Sequence, residues 1–325
     1  MKTGIIIGRF QPFHIGHLHS VGVAASQVDK LYILVGSSNA CRSIKNPWTF
    51  AERKDMIRSK LWSNHISNVE IVPLNDYPYN DTQWIADVRA TAEHYEMGKP
   101  TLFGHMKEGN DYLRWFPDWK FSDIPTPHPV NATTIRERMY STDDPAMPRT
   151  VKDDFAYYAG EKRAFAGYPF PETLNFNCGD AVVECQGHVL LIRRLRAPGA
   201  GAWAIPGGFK NADETFLDCA VRELMEETNI RVPEKVLRGS IVKTELFDSP
   251  KRSFGIPRNT LAVYFRINPD PDGGLPRANG ADDAAECKWF PLTDVLNSME
   301  LYDDHAHIIS KVTGVMPMPA FVGVR

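Results

Sequence analysis

The sequence predicts two α/β domains in tandem, the first doubly wound around a parallel sheet and the second built on a mixed sheet. Three observations carry this reading. The chain has 325 residues, a length that favours two domains of about 150 residues each. Its first half alternates short β-branched runs with helical stretches, and from Phe176 the texture changes to a hairpin pattern. A hydrophobic fraction of 43% supplies two ordinary cores, and no stretch approaches the ~20 consecutive apolar residues of a membrane span.

Ile5-Ile6-Ile7 and Leu31 to Val35 read as strands closed by Gly8 and Gly36, with a helix from about His17 to Val28 between them, which makes a βαβ unit. Helix from Glu52 to Leu61, strand from Val69 to Val72, helix from Thr82 to Tyr95 and strand from Thr101 to Phe103 continue the alternation. These place a first domain at 1–141. Residues 142–171 are rich in Pro, Asp and Ala and read as an interdomain connection, within which 152–165 can form one helix. The second domain, 172–325, opens with strands at Asp180 to Cys185 and Val189 to Arg193 around a Gln186-Gly187 turn, followed by a long amphipathic segment and a strand near Thr260 to Ile267.

Thirty-seven Lys and Arg face 40 Asp and Glu, a net charge of −3, divided as 17 basic against 16 acidic side chains over 1–150 and 20 against 24 over 151–325. Neither half has the basic excess of a nucleic-acid binder, and no nucleic-acid or membrane partner is expected. The 5 cysteines are widely spaced with no C-x-x-C pair, so a reducing compartment, the cytoplasm, is expected rather than a disulfide framework or a thiolate zinc site. The first residues lack the apolar core of a signal peptide. Assembly into a homo-oligomer is compatible with all of this.

The run Gly8-Arg9-Phe10-Gln11-Pro12-Phe13-His14-Ile15-Gly16-His17 ends the first strand and opens the first helix, where open parallel sheets bind ligands and a helix N-terminus attracts phosphate. Gly16 admits a ligand close to the backbone, and His14 and His17, one turn apart, can donate together to a triphosphate. A zinc reading of His14, His17 and His19 is weak, because no Cys or carboxylate stands beside them. In Asn131-Ala132-Thr133-Thr134-Ile135-Arg136, Asn131 suits an N-cap, while Thr133 and Arg136 can meet phosphate.

The first run resembles the nucleotidyltransferase signature of nicotinamide mononucleotide (NMN) adenylyltransferases. The second is similar to that family's S-x-T-x-I-R motif, with Asn131 in place of Ser. The resemblance implies a Rossmann-like nucleotidyltransferase domain, with ATP held by Gly8, Arg9, Phe10, His14, Gly16, His17, Thr133 and Arg136. It also implies attack of the NMN phosphate on the α-phosphorus, aided by His14, His17 and Arg136. Asn46 to Arg53 resembles the N-P-F-T-x-x-E-R stretch of the archaeal type, and Tyr79 to Trp84 the segment with a nicotinamide-stacking aromatic. Trp84, then Trp48, with Asn80, are the NMN-binding candidates; Arg42, Lys45 and Lys107 are further phosphate contacts. The letters His-Ile-Gly-His also occur in class I aminoacyl-tRNA synthetases, but no K-M-S-K-S-like loop is present.

Residues 208–230 fit G-x5-E-x7-R-E-U-x-E-E-x-G-U, except that Asn229 replaces the second Gly. Asn tolerates the left-handed helix end that Gly serves there. On a helix, Glu223, Glu226 and Glu227 fall within about 100° of one another, and such hard oxygen ligands suit Mg²⁺, with Mn²⁺ as the alternative. This segment resembles the Nudix box, which implies an α/β/α sandwich with a mixed sheet and hydrolysis of a nucleoside diphosphate derivative by metal-activated water. It further implies metal ligands at Gly208, Glu223, Glu226 and Glu227, with Arg222 orienting the glutamates, Glu214 steadying the loop, and Asp282, Asp283 and Glu286 as candidates for the base. Both signatures in this order resemble the bacterial bifunctional NMN adenylyltransferase/Nudix hydrolase family, which implies ADP-ribose as the second substrate beside ATP and NMN. The other reading makes the second half a non-catalytic, ligand-sensing Nudix module.

Overall fold

The structure, a computed structural model, describes residues 1–105, 115–125, 130–169, 174–250 and 252–323. Strands β1 (Thr3–Gly8), β2 (Lys30–Val35), β3 (Val69–Pro73), β4 (Thr101–Gly104) and β5 (Lys120–Asp123) form one sheet in the order β3-β2-β1-β4-β5. Every pairing in it is parallel. Successive strand residues face opposite sides. Ile6, Leu31, Ile33 and Val35 pack with Val21 and Ala24 of α1 (Ile15–Ala25) and Ile57 and Leu61 of α2 (Phe50–Ser63). Ile5, Tyr32, Leu34 and Leu102 pack on the other face with Val88 and Ala92 of α3 (Asp81–His94). Both faces are thus covered, as a parallel sheet requires. The sheet reverses direction at β1, which neighbours both β2 and β4, and its ligand-binding crevice opens there at the carboxyl ends.

Arg53 of α2 fixes that edge. Its side chain is 1% exposed, and its guanidinium donates to the carbonyls of Arg9 (2.7 Å), Gly36 (2.6 Å), Ser37 (3.0 Å) and Thr49 (3.2 Å), tying the loops that follow β1 and β2 to the helix. Arg53→Met is expected to lower stability by about 3 kcal/mol, because buried carbonyls lose their donors. Urea unfolding followed by tryptophan fluorescence measures this, and an unmoved first transition would assign the carbonyls other donors.

The remaining strands, β6 (Phe176–Cys185), β7 (His188–Arg194), β8 (Trp203–Ala204), β9 (Gly207–Phe209), β10 (Ile241–Phe247), β11 (Arg258–Arg266) and β12 (Ala284–Pro291), form a mixed sheet ordered β10-β11-β6-β7-β12, with β8 on β7 and β9 on β6. Only β11–β6 is parallel among these described pairings. Helix α6 (Phe216–Thr228) buries Ala220, Val221 and Leu224 against Ala181, Val183, Val263 and Phe265. Short α7 (Glu234–Gly239) and α8 (Leu292–Ser298) and the longer α9 (His305–Thr313) complete the α/β sandwich, α9 lying on β10 and β11.

The chain divides into two compact units, Met1–Ala40 with Lys45–Pro148 and Pro319–Arg325, and Cys41–Ile44 with Arg149–Met318. Two features differ from the expected boundaries. The helix expected inside the 142–171 connection is α5 (Arg149–Ala164), and it groups with the second unit through polar contacts. Asp154 accepts from the Gly199 amide (2.9 Å), and Glu161 pairs with Arg258 and accepts from the Ile256 amide (3.0 Å). At the other end, Phe321 lies in the first unit's core and stacks on His94 with ring centres 4.6 Å apart. No helix among the described residues is long and apolar enough to cross a membrane.

Candidate active sites

At the end of β1 the chain turns sharply through Phe10 (φ +53°), whose buried ring lies over Gly8 where a Cβ would come within 2.9 Å. Phe10 is therefore core, packed edge-on against His17 (4.9 Å), while Arg9 stays exposed. His14 is the N-cap of α1, and its ring stacks on that of His17 at 3.6 Å, with the His14 amide donating to His17 Nδ1 (3.4 Å). Gly16 is buried in the first turn. The two histidines thus stand together at the helix N-terminus.

Helix α4 (Ala132–Ser141) begins at Asn131, whose side chain accepts from the Thr134 amide (2.8 Å), so Asn fills the capping role of the expected Ser. One turn in, Arg136 is 8% exposed. Its guanidinium donates to the Gln11 carbonyl (2.6 Å) and to the Thr133 hydroxyl (3.3 Å). This joins the two sequence signatures across 125 residues. Burial and the nearby Arg9 charge lower the Arg136 pKa, a field that an incoming polyphosphate would relieve.

Other first-site candidates are less uniform. Trp48 is 5% exposed, its indole N–H donating to the Ala146 carbonyl (3.3 Å), and its backbone exchanges two bonds with the Gln11 side chain. Its place is structural. Trp84 sits half-buried on α3, edge-on to Trp115 (5.7 Å), and Asn80 is that helix's N-cap, accepting from Gln83. Arg42 groups with the second unit and Lys45 with the first, whereas Lys107 lies outside the described residues. Sequence reasoning passed over His105, which follows β4 at the crevice and meets Asp123 at 3.2 Å.

In the second unit, Thr215 caps α6, and Asn229 ends it in the left-handed conformation (φ +42°). Arg222 organises the carboxylates. Its guanidinium grips Glu214 with two bonds (2.7 and 2.9 Å), and reaches Glu223 (2.7 Å), Glu226 (3.0 Å) and the Phe209 carbonyl (3.0 Å). Glu214 in turn accepts from the Asn211 amide (2.7 Å), bracing the loop, and Arg222 holds its carboxyl down at about 2. Gly208 lies against Glu223, where any Cβ would come within 2.4 Å of the carboxylate.

Glu227 lies at the buried edge of the face expected from the helical wheel. It is 5% exposed, accepts from the Gly207 amide (2.9 Å), and burial pushes its carboxyl up to about 8. Among the described residues no group of three or more His, Cys, Asp and Glu is gathered as a metal cluster, because Arg222 stands between Glu223 and Glu226 while Glu227 turns to Gly207. The donors nevertheless fit a hard divalent cation: all are oxygens on adjoining turns, and the raised Glu227 and Glu223 pKa values mark a buried site in need of positive charge. Of the base candidates, Asp282 is exposed with φ +51°, Asp283 pairs with Arg196 (3.6 Å) and Glu286 with Arg193 (3.9 Å). Glu286 lies on β12, and the loop that carries Asp282 and Asp283 is tied to the end of α6 by the Ala281 amide on the Glu227 carbonyl (3.0 Å).

The sequence reading also missed a buried polar group beside this site. Arg252 grips Asp304 with two bonds (3.0 and 2.9 Å), and Asp180 lies beneath Gly207. His305, its pKa pushed down to about 3 by burial, accepts the Ile205 amide on Nδ1 (3.0 Å). That bond anchors the link between β8 and β9 that leads into Gly207-Gly208.

Comparison with known proteins matches these units one by one. Residues 5–137 match the cytidylyltransferase-like family model, and residues 179–312 the NUDIX domain model. The nicotinamide/nicotinic acid mononucleotide adenylyltransferase of Acinetobacter baylyi is 34% identical over 42% of this chain and 74% of its own length. The nicotinamide-nucleotide adenylyltransferase of Pyrococcus furiosus is 29% identical over 50% and 87%. One likeness spans both units: the crystal structure of a bifunctional NMN adenylyltransferase/ADP ribose pyrophosphatase from Francisella tularensis is 31% identical, covers 96% of this chain and 98% of that one, and superimposes with a TM-score of 0.85. Its complex with AMP and a Mn ion gives 0.84 at 30% identity. With both family models matched along the chain and a likeness that covers nearly the whole of it, this protein belongs to the family of bifunctional NMN adenylyltransferase/ADP ribose pyrophosphatases.

Proposed function

We propose that the first unit transfers the adenylyl group of ATP to NMN, releasing pyrophosphate and forming NAD, and that the second hydrolyses ADP-ribose to AMP and ribose 5-phosphate in the cytoplasm. The observation that carries the first assignment is the bond from Arg136 to the Gln11 carbonyl, which ties a guanidinium to the loop that leads into the two stacked histidines. His14 and His17 orient the triphosphate, and Arg136 faces charge that grows on the leaving pyrophosphate. No protein nucleophile is needed, since the NMN phosphate attacks phosphorus directly.

In the second unit, Mg²⁺, or Mn²⁺ in its place, would be held by Glu223, Glu226, Glu227 and the Gly208 carbonyl, and would neutralise the diphosphate and acidify the attacking water. Arg222 positions two of those glutamates and Glu214 the loop. Assay of the full chain with ATP and NMN, and separately with a panel of nucleoside diphosphate derivatives, tests both assignments; loss of either product removes that assignment alone. Trp84→Ala is expected to raise KM for NMN about tenfold with KM for ATP within twofold, as loss of a stacking face would. Equal KM values for NMN in the variant and the parent would make Trp84 purely a packing residue.

A further inference from the structure

Strand β10 closes one end of the second sheet and pairs with β11 alone among the described strands. An edge strand offers a row of unpaired amides and carbonyls to any extended segment whose side chains suit its own, and soluble proteins usually blunt such an edge with charge. This edge carries Val242 and Leu246, 54% and 52% exposed, with Thr244 exposed between them. The opposite edge, β12, leaves no large apolar side chain so open among its described residues. The irregularity in β10, a bulge between Ile241 and Lys243, falls at its start, and from Lys243 to Phe247 the strand stays in register with β11.

The order of side chains along β10 selects the partner. Lys243 and Glu245 flank Thr244, and their charges pair within the chain at 2.9 Å while both stay partly exposed. Turning a second copy of the strand antiparallel about Thr244 sets that threonine opposite itself. Lys243 then faces Glu245 of the second copy, Glu245 faces Lys243 of the second copy, and Val242 meets Leu246 at either end. Opposite charges, paired hydroxyls and paired branched apolar side chains are each favourable across antiparallel strands. The strand is thus its own complement, as the two-fold contact of a homodimer requires. Sliding the register by two residues would centre Glu245 on Glu245 or Lys243 on Lys243, and sliding it by one would set both charges against uncharged side chains, so the charges specify this register.

We propose that β10 is the contact between two copies of this chain, joined antiparallel about Thr244 so that their mixed sheets run on into one. Sedimentation equilibrium of the full chain over a concentration series is expected to show monomer and dimer in exchange. Lys243→Glu sets Glu against Glu twice across the two-fold axis, and Glu245→Lys sets Lys against Lys twice, so each is expected to raise the dimer Kd at least about tenfold. In an equimolar mixture of these two variants every facing pair is again opposite in sign, and the dimer mass should return. It should return also in the chain that carries both substitutions. The mixture cannot rebuild the ion pair within one strand, so its recovery reads the contact between chains, and circular dichroism melts confirm that the single variants are folded. A parent that sediments as a monomer throughout, single variants that dimerise as the parent does, or a mixture that stays monomeric each overturns the proposal.

Discussion

Arg136→Ala is expected to slow NAD formation by a factor of about a hundred to a thousand, the scale set by removing one preorganised charge from a transition state, while ADP-ribose hydrolysis stays within twofold. The guanidinium is buried, bonded to Gln11 and Thr133, and sits in the field of Arg9, so its charge is held in place at the position proposed for the leaving group. Arg136→Lys separates charge from geometry: a lysine restores the charge without the planar fork and should recover only part of the rate. Circular dichroism melts show whether α4 survives. An equal loss of both activities in a folded variant would mean that Arg136 serves the whole chain rather than the first site.

Glu226→Gln and Glu227→Gln should each reduce ADP-ribose hydrolysis by about a hundredfold or more, again the scale of losing a charge that stabilises the transition state. Neither swap should unfold the protein. Glu226 is about half exposed, and a glutamine at 227 keeps an oxygen for the Gly207 amide and removes a buried carboxyl. Mg²⁺ should raise the melting temperature of the parent by mass action on the folded state, and each variant should lose part of that rise. Unchanged hydrolysis in both variants would strip the glutamates of their role, whereas no hydrolysis by the parent would favour a sensing module.

The first site was legible because each half is a short contiguous run whose chemistry is local: a strand end, a capped helix, a pair of histidines one turn apart. The bond that joins them, from Arg136 to Gln11, has no local signature. The helical wheel placed three glutamates on one face, but that face is wide enough for its edge to reach the core, and Glu227 lies on that edge. Periodicity failed for β8 and β9, only two and three residues long and interrupted by Pro206. It failed also for β10, an edge strand that exposes Val242 and Leu246 and half-buries Lys243 and Glu245, so that apolar and polar residues do not sort by face. Helix α5 was assigned to the connection because its attachments, Asp154 to Gly199 and Glu161 to Arg258, are polar and reach 45 and 97 residues along the chain. Trp48 shows the limit of reading aromatics as ligands, since its burial and its bonds to Gln11 and Ala146 join residues far apart in the sequence.

The return of Phe321 to the first unit sets an order of events during synthesis. A ribosome releases the parallel sheet and α1 to α4 early, and domains generally fold as they emerge. The ring that stacks on His94 and packs with Ile5 and Leu34 arrives only after all of residues 149–318 have been made. The unit encoded first is therefore the one completed last, and a chain that stops before Pro319 leaves an open seat in the first unit's core.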